Sequence, residues 1–423
     1  MLCSLLFPVL ASVVAAASSS ASASADPCSF STTVTAVADV AAINACPTLS
    51  GDITVTGNQL VNVDLSKVKS INANVKVFNS SSINSVSLAS VANVTGSLAF
   101  SALTQLRNVD FSSLTLAQQL SFVSLPSLAT LRLGSGLATV SSLTLSDTAL
   151  TTIDNLLQFS TIDVLNVNNN KNISSIDLSG LQSVTQGLTL SFNNDKATVK
   201  LPNLQWASNL TLQDIRDVSI SNLKYVNGSF ILAYNSFDHI SFDSLTNVGT
   251  SLQVFANDNL EDLNMNNLTE VDGEFHIFNN TYLSDFELNN LQLVKGAFNM
   301  KGDFGNFTLP SLREVDGDFT VFSTSNKFSC KPFNKLHDSN KIKGHNYNCS
   351  SPYATLSSVA SSSTAKASSS AKTSSAATST GSSSSAAATA SSTATSTKKS
   401  DATNASPAMV LTGAIAAVLA LLV

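Results

Sequence analysis

The stretch Leu263–Phe278, LNMNNLTEVDGEFHIF, decides the fold when it is set against Phe307–Phe322, FTLPSLREVDGDFTVF. In both, apolar residues fall at positions 1, 3, 6, 9, 13 and 15. In the first these are Leu263, Met265, Leu268, Val271, Phe275 and Ile277. Two more stretches keep the beat: VSLASVANVTGSLAF from Val86 and ISFDSLTNVGTSLQVF from Ile240. A weaker unit preserves it at Ile176, Leu178, Leu181, Val184, Leu188 and Leu190. From about Val40 to Ser329 the repeat returns every ~22–23 residues, the period range of solenoids. One unit, from Val199, is shortened.

Positions 1 and 3 alternate about an outward residue, as do 13 and 15, which is the period of a strand. Each unit therefore reads as two short strands joined by turns rich in Asn, Ser, Asp and Gly. Gly96, Gly228, Gly273, Gly296 and Gly317 recur before the second strand, where a turn is expected to need a positive φ. One coil cannot bury its apolar residues alone, but stacked coils can, about 4.8 Å apart. The fold expected is all-β: a right-handed parallel β-solenoid of about a dozen coils, a rod on the order of 60 Å long. A helical leucine-rich repeat is the competing architecture. The second half of each unit, which reads as strand, argues against it.

Four regions follow. Residues 1–25 read as a signal peptide: Leu2 to Ala17 is apolar, small residues follow, and cleavage is expected between Ala17 and Ala25. An N-terminal anchor is the alternative, but the run is shorter than the ~20 residues of a span. Residues 26–349 hold the repeats. Residues 350–403, almost all Ser, Thr and Ala, read as a disordered, O-glycosylated stalk. Residues 404–423 read as a lipid-attachment signal, with an apolar tail from Met409 and attachment at Asn404, or at Ser400 or Asp401. Cys3 lies in the leader. Cys28 with Cys46 and Cys330 with Cys349 are the economical disulfide pairs, one bracketing each end of the array; a zinc site is the alternative.

Charged residues make up only 12% of the chain, and 22 of its 423 residues are Lys or Arg. A nucleic-acid partner would need a dense basic stripe, which is absent. No P-loop, GxSxG or dinucleotide motif appears, so no cofactor is expected. His239, His276, His337 and His345 share no metal-ligand spacing. Lys331, Lys335, Lys341 and Lys343 make the C-terminal cap basic. They read as a solvated cap, with contact to an anionic phosphate group as the alternative.

N-glycosylation sequons occur at Asn79, Asn93, Asn172, Asn209, Asn227, Asn267, Asn279, Asn306, Asn348 and Asn404. Most fall at turns. The outward residue between positions 13 and 15 carries none; it reads Lys76, Ala99, Thr144, Asn166, Thr189, Ile231, Gln253, His276, Asn299 and Thr320. This face, Gln253, His276, Asn299 and Thr320 above all, is expected either to stay free of N-glycans and meet a partner or to be a solvated sheet. It carries almost no stacking aromatics at these positions, and Trp206 is the only tryptophan. Asp272 and Glu274 recur two units later as Asp316 and Asp318, with Lys295 between. Paired acids in stacked turns allow a glycosidase. The favoured reading is a surface charge ladder of Asp272, Lys295 and Asp316.

Leader, Cys-bounded repeats with the beat L-xx-V-x-G-x-F-x-V/I-F, stalk and lipid signal together resemble a known family. They are similar to the fungal GPI-anchored cell-wall-organisation proteins with receptor L-domain-type repeats. LTEVDGEFHIFNN from Leu268 and LREVDGDFTVF from Leu312 match best. The resemblance implies a role in wall integrity, at the plasma membrane or in the wall, with wall polysaccharide or wall glycoproteins as partners and a membrane tether through lipid. It implies no catalytic residues, so a non-enzyme is expected. The alternative is a wall carbohydrate-active enzyme on the same solenoid.

Overall fold

The computed structural model describes residues 26–352, apart from residues 155, 156 and 306. The leader, the stalk beyond residue 352, the lipid signal and the sequons at Asn306 and Asn404 lie outside the described residues. The repeats stack as about 13 turns of a parallel β-solenoid. Equivalent residues of successive units sit side by side: Val75 beside Leu98, Leu98 beside Leu120, and Phe275 beside Phe298. All six apolar positions of the Leu263 unit are buried, as are those of the Ile176 unit. Like stacks on like. The rings of Phe275, Phe298 and Phe319 lie 4.7 and 4.9 Å apart and nearly parallel, so each coil supplies half of its neighbour's core. Burying one such ring contributes roughly 1.5–3 kcal/mol.

From Trp206 onward each coil has one more strand than the repeat suggests. A long sheet runs through the whole stack, and three separate short sheets hold the position-1 strands. In the N-terminal coils the long-sheet strand is continuous, as in Asn93–Leu103. From Trp206 onward it is split, as in Glu270–Val271 followed by Glu274–Phe278. The recurring glycines lie at this split, and the reason is not the one expected. Among the described glycines only Gly51, Gly57 and Gly136 have positive φ. The recurring Gly96, Gly228, Gly273, Gly296 and Gly317 are needed for closeness between coils. A Cβ on Gly273 would lie 1.7 Å from the Thr250 carbonyl oxygen, and one on Gly296 would lie 2.5 Å from the Gly273 carbonyl carbon. Gly317 and Gly344 continue the same column.

The left-handed conformation belongs to a different column. Asn79, Ala102, Ser124, Asp147, Asn169, Phe192, Asp214, Tyr234, Ala256 and Asn279 all have φ of 51–57°. Bulky side chains such as Phe192 and Tyr234 adopt it only under constraint. The turn aims the following residue inward, and in five coils that residue is a buried asparagine: Asn170, Asn193, Asn235, Asn257 and Asn280. Each uses its side chain to bind backbone of neighbouring coils. The Asn257 Oδ1 accepts the Asn235 backbone N–H at 2.9 Å, and its Nδ2 donates to the Leu232 carbonyl at 3.1 Å. Asn280 repeats the pattern on Asn257 and Val254. The buried turn backbone is thus satisfied by side chains where the sheet cannot reach.

Helices appear only at the two ends of the described stack. Val37–Asn44 lays Val40 and Ile43 over the first coil, with the Asp39 carboxylate accepting the Ala36 N–H. Lys331–Asp338 carries Pro332 in its first turn and buries Phe333 against Phe307, Phe319 and Phe328. Cys28 is bonded to Cys46 and Cys330 to Cys349, with Cα separations of 5.7 and 5.8 Å. The open sheet edges at both ends are therefore covered. Helical repeats are excluded for the described coils.

Candidate functional site

The long sheet presents two outward columns. The first is the expected one, completed by Ser121 and Thr211, which the repeat reading passed over, so that Ser121, Thr144, Asn166, Thr189, Thr211, Ile231, Gln253, His276, Asn299 and Thr320 stand in register. The second lies two residues further along each strand, and there Ala233, Phe255, Phe278, Lys301 and Phe322 stand in register. The expectation of a face almost without aromatics is corrected by this column. Phe255 stacks on Phe278 at 5.1 Å, the exposed Tyr234 meets Phe255 edge-on at 5.7 Å, and the His276 ring lies 4.5 Å from Phe278. Lys301 reaches over Phe322. Burial holds the His276 imidazole below its ordinary pKa, so it stays neutral at pH 7. The face from Ile231 to Phe322 is therefore half apolar and half hydrogen-bonding, with every group fixed by its strand.

The second correction concerns glycans. Asn348, on the terminal strand Tyr347–Ser350, pairs with Thr320 and continues the first column. A sugar on Asn348 would stand beside Thr320, so the first column is free of sequons only as far as Asn299, while the sequon Asn279 directly follows Phe278 of the second column. The repeat spacing hid this because the step from Thr320 to Asn348 is 28 residues, where most coils step 22 or 23. All eight described sequon asparagines are exposed. Asn209 and Asn267 each give one amide hydrogen to a carbonyl of the preceding coil, Gln186 and Asp243. The second hydrogen stays available for substitution.

The carboxylates once considered as paired acids are mostly engaged by neighbouring coils. Lys295 bridges Glu270 at 2.9 Å and Asp272 at 2.5 Å. Lys343 bridges Glu314 and Asp316, and Asp318 binds the Asn346 amide. The surface ladder is thus two separate clamps, since Asp316 is held by Lys343 and not by Lys295. Two of the four cap lysines are consumed in this way, because Lys341 donates to the Leu312 carbonyl. The Lys295 ammonium holds Asp272 below the ordinary carboxylate pKa, and hydrogen bonding from Asn346 does the same for Asp318. Hydrogen bonding to Glu314 raises Asp316. A lowered carboxylate contributes stability above the unfolded value of 3.8 and loses it as the pH falls through the folded value. Asp316 works in the opposite sense. These groups are exposed, and solvent screening keeps their effect small. Among the described residues no three His, Cys, Asp or Glu side chains are gathered to hold a metal ion.

A stacked parallel β-coil with disulfide-closed ends and exposed glycan acceptors defines a class: a β-solenoid surface glycoprotein. Comparison with known proteins is specific. The chain is 49% identical over 356 residues to the Candida albicans cell surface GPI-anchored protein ECM33, covering 84% of this chain and 86% of the relative. It is 36% identical over 319 residues to the Schizosaccharomyces pombe cell wall protein ecm33, covering 75% of each. It is 33% identical over 323 residues to the Saccharomyces cerevisiae cell wall mannoprotein PST1, covering 76% of this chain and 72% of the relative. The chain belongs to this Ecm33/Pst1 family of fungal GPI-anchored cell wall proteins, and its place is the outer face of the plasma membrane and the cell wall. No family model and no solved structure matches it.

Proposed function

We propose that the protein is a non-catalytic wall-organising glycoprotein that supports wall integrity by holding wall glycan or wall protein on its long sheet. The first outward column from Ile231 to Asn299, none of whose residues is a sequon asparagine, carries this reading. There Gln253, His276 and Asn299 alternate with Phe255 and Phe278 on a rigid, registered surface. Polar side chains fixed beside aromatic ones suit a partner with both hydroxyl groups and apolar faces. The clamps on Asp272, Asp316 and Asp318 support a structural role for those acids.

The test is capture of wall fractions by the purified full-length protein. Gln253→Ala with His276→Ala is expected to reduce capture at least five-fold at unchanged thermal stability. A sequon grafted at Asn299, by Lys301→Thr, is expected to do the same and to weaken the wall of cells carrying it. Unchanged capture by both variants contradicts the reading. Glucan hydrolysis or transfer that Asp316→Asn and Asp318→Asn abolish would favour the enzyme instead.

A further inference from the structure

The shortened repeat leaves a mark on the surface. In most coils the position-1 strand begins six residues after the left-handed residue: Ser85 after Asn79, Thr198 after Phe192, Asp262 after Ala256. After Asp214 it begins three residues on, at Asp217, and after Tyr234 five residues on, at His239. The distance from that strand to the next stays the same, so most of the lost length is in this loop. The strands Asp217–Ser219 and His239–Ser241 consequently do not pair, and one short sheet ends where the next begins. The buried asparagine column is interrupted in the same coil, at Ile215. Where the loop is missing there is a groove of about 510 Å³.

Arg216 and Asp217 lie at the break. Asp238, His239, Glu261 and Tyr282 complete the lining from the longer loops of the following coils. Tyr282 is 62% exposed, and the side chains of His239 and Asp238 are 62% and 72% exposed. Carboxylates, guanidinium and imidazole of both charge signs face one open space beside a free aromatic ring. That set, three carboxylates with one guanidinium and one imidazole, does not suit an apolar peptide side chain and repels an anionic ligand. It does suit a neutral polyol. Planar carboxylate and guanidinium groups take pairs of hydroxyls, and an aromatic ring covers a face of C–H bonds.

We propose that this groove is a saccharide-binding site for a neutral oligosaccharide segment, separate from the long-sheet face and independent of whether that face binds. The experiment titrates the full-length protein, purified in detergent, with three probes in turn: a β-1,3-linked glucohexaose, a β-1,6-linked glucohexaose and an α-linked mannohexaose. Binding is read by calorimetry. At least one probe is expected to bind, with Tyr282→Ala and Asp238→Ala each weakening it ten-fold or more. Both side chains are exposed, so the melting temperature should not move. Tyr225→Ala, exposed but outside the groove, should leave the affinity unchanged, as should enzymatic removal of N-glycans. The proposal is overturned if no probe binds, if Tyr282→Ala binds as the parent does, or if binding disappears with the N-glycans. Which probe binds separates wall glucan from mannan as the source.

Discussion

Replacing Asn257 by Leu, which keeps the branching and number of heavy atoms, is expected to destabilise the protein by about 3–5 kcal/mol. Asn257 is fully buried. Its carbonyl oxygen accepts both the backbone N–H and the side-chain amide of Asn235, at 2.9 and 3.0 Å. Its amide donates to Leu232 at 3.1 Å and to Asn280 at 3.0 Å. Leucine supplies none of these, so several buried polar groups lose their partners at once, each at a cost of about 1–3 kcal/mol before relaxation. Ile215 shows that an apolar residue can occupy this column, but there the coil itself is shorter. Urea denaturation followed by far-ultraviolet circular dichroism measures the loss. A change under 1 kcal/mol would mean the asparagine column does not hold the turns.

The second large effect is expected at Gly296. An added methyl would sit 2.5 Å from the Gly273 carbonyl carbon and 2.9 Å from the Glu274 nitrogen. Both are backbone atoms of the adjacent coil, so no side chain can swing away. The coils must separate locally and the Phe275–Phe298–Phe319 stack must loosen with them. Gly296→Ala is therefore expected to cost about 3 kcal/mol and to reduce secretion. Gly187 is the control. Nothing lies within 4 Å of the position its Cβ would take, and its φ is not positive, so Gly187→Ala should be neutral or slightly stabilising. Equal effects at the two sites, read from the same denaturation curves, would contradict the close approach of coils at the glycine column.

Much of this architecture was legible because burial in a stacked coil has only one solution per position. The beat of Leu263, Met265, Leu268, Val271, Phe275 and Ile277 names the core directly. The third strand was not legible, since two residues such as Glu270 and Val271 carry no periodicity. The glycines were visible, but spacing alone cannot separate a positive φ from a neighbour's backbone at contact distance. The asparagine column was present as a repeat of Asn170, Asn193, Asn235, Asn257 and Asn280. It was read as turn composition because exposed turn asparagines share the same neighbourhood.

The face was found at Gln253 and His276, whereas Phe255 and Phe278 were missed. Only the residue between positions 13 and 15 was followed outward, and the strand runs on past position 15. Asn348 and the two cap helices interrupt the period, which makes them invisible to a repeat. The shortened unit at Val199 was evident in the sequence. That it opens a groove follows only once the loop offset is seen against the neighbouring coils.

The most direct test of in-register stacking is a series of distances between paired spin labels. One label stays at Asn299 and the other moves along the outward column from Ser121 to Thr144 to Asn166, positions joined by consecutive parallel pairings. With about 4.8 Å per rung, eight rungs put the first pair about 38 Å apart, and each move should shorten the distance by about 5 Å. A distance that stays constant, or changes irregularly as the label moves, would show that these coils are not piled one on the next.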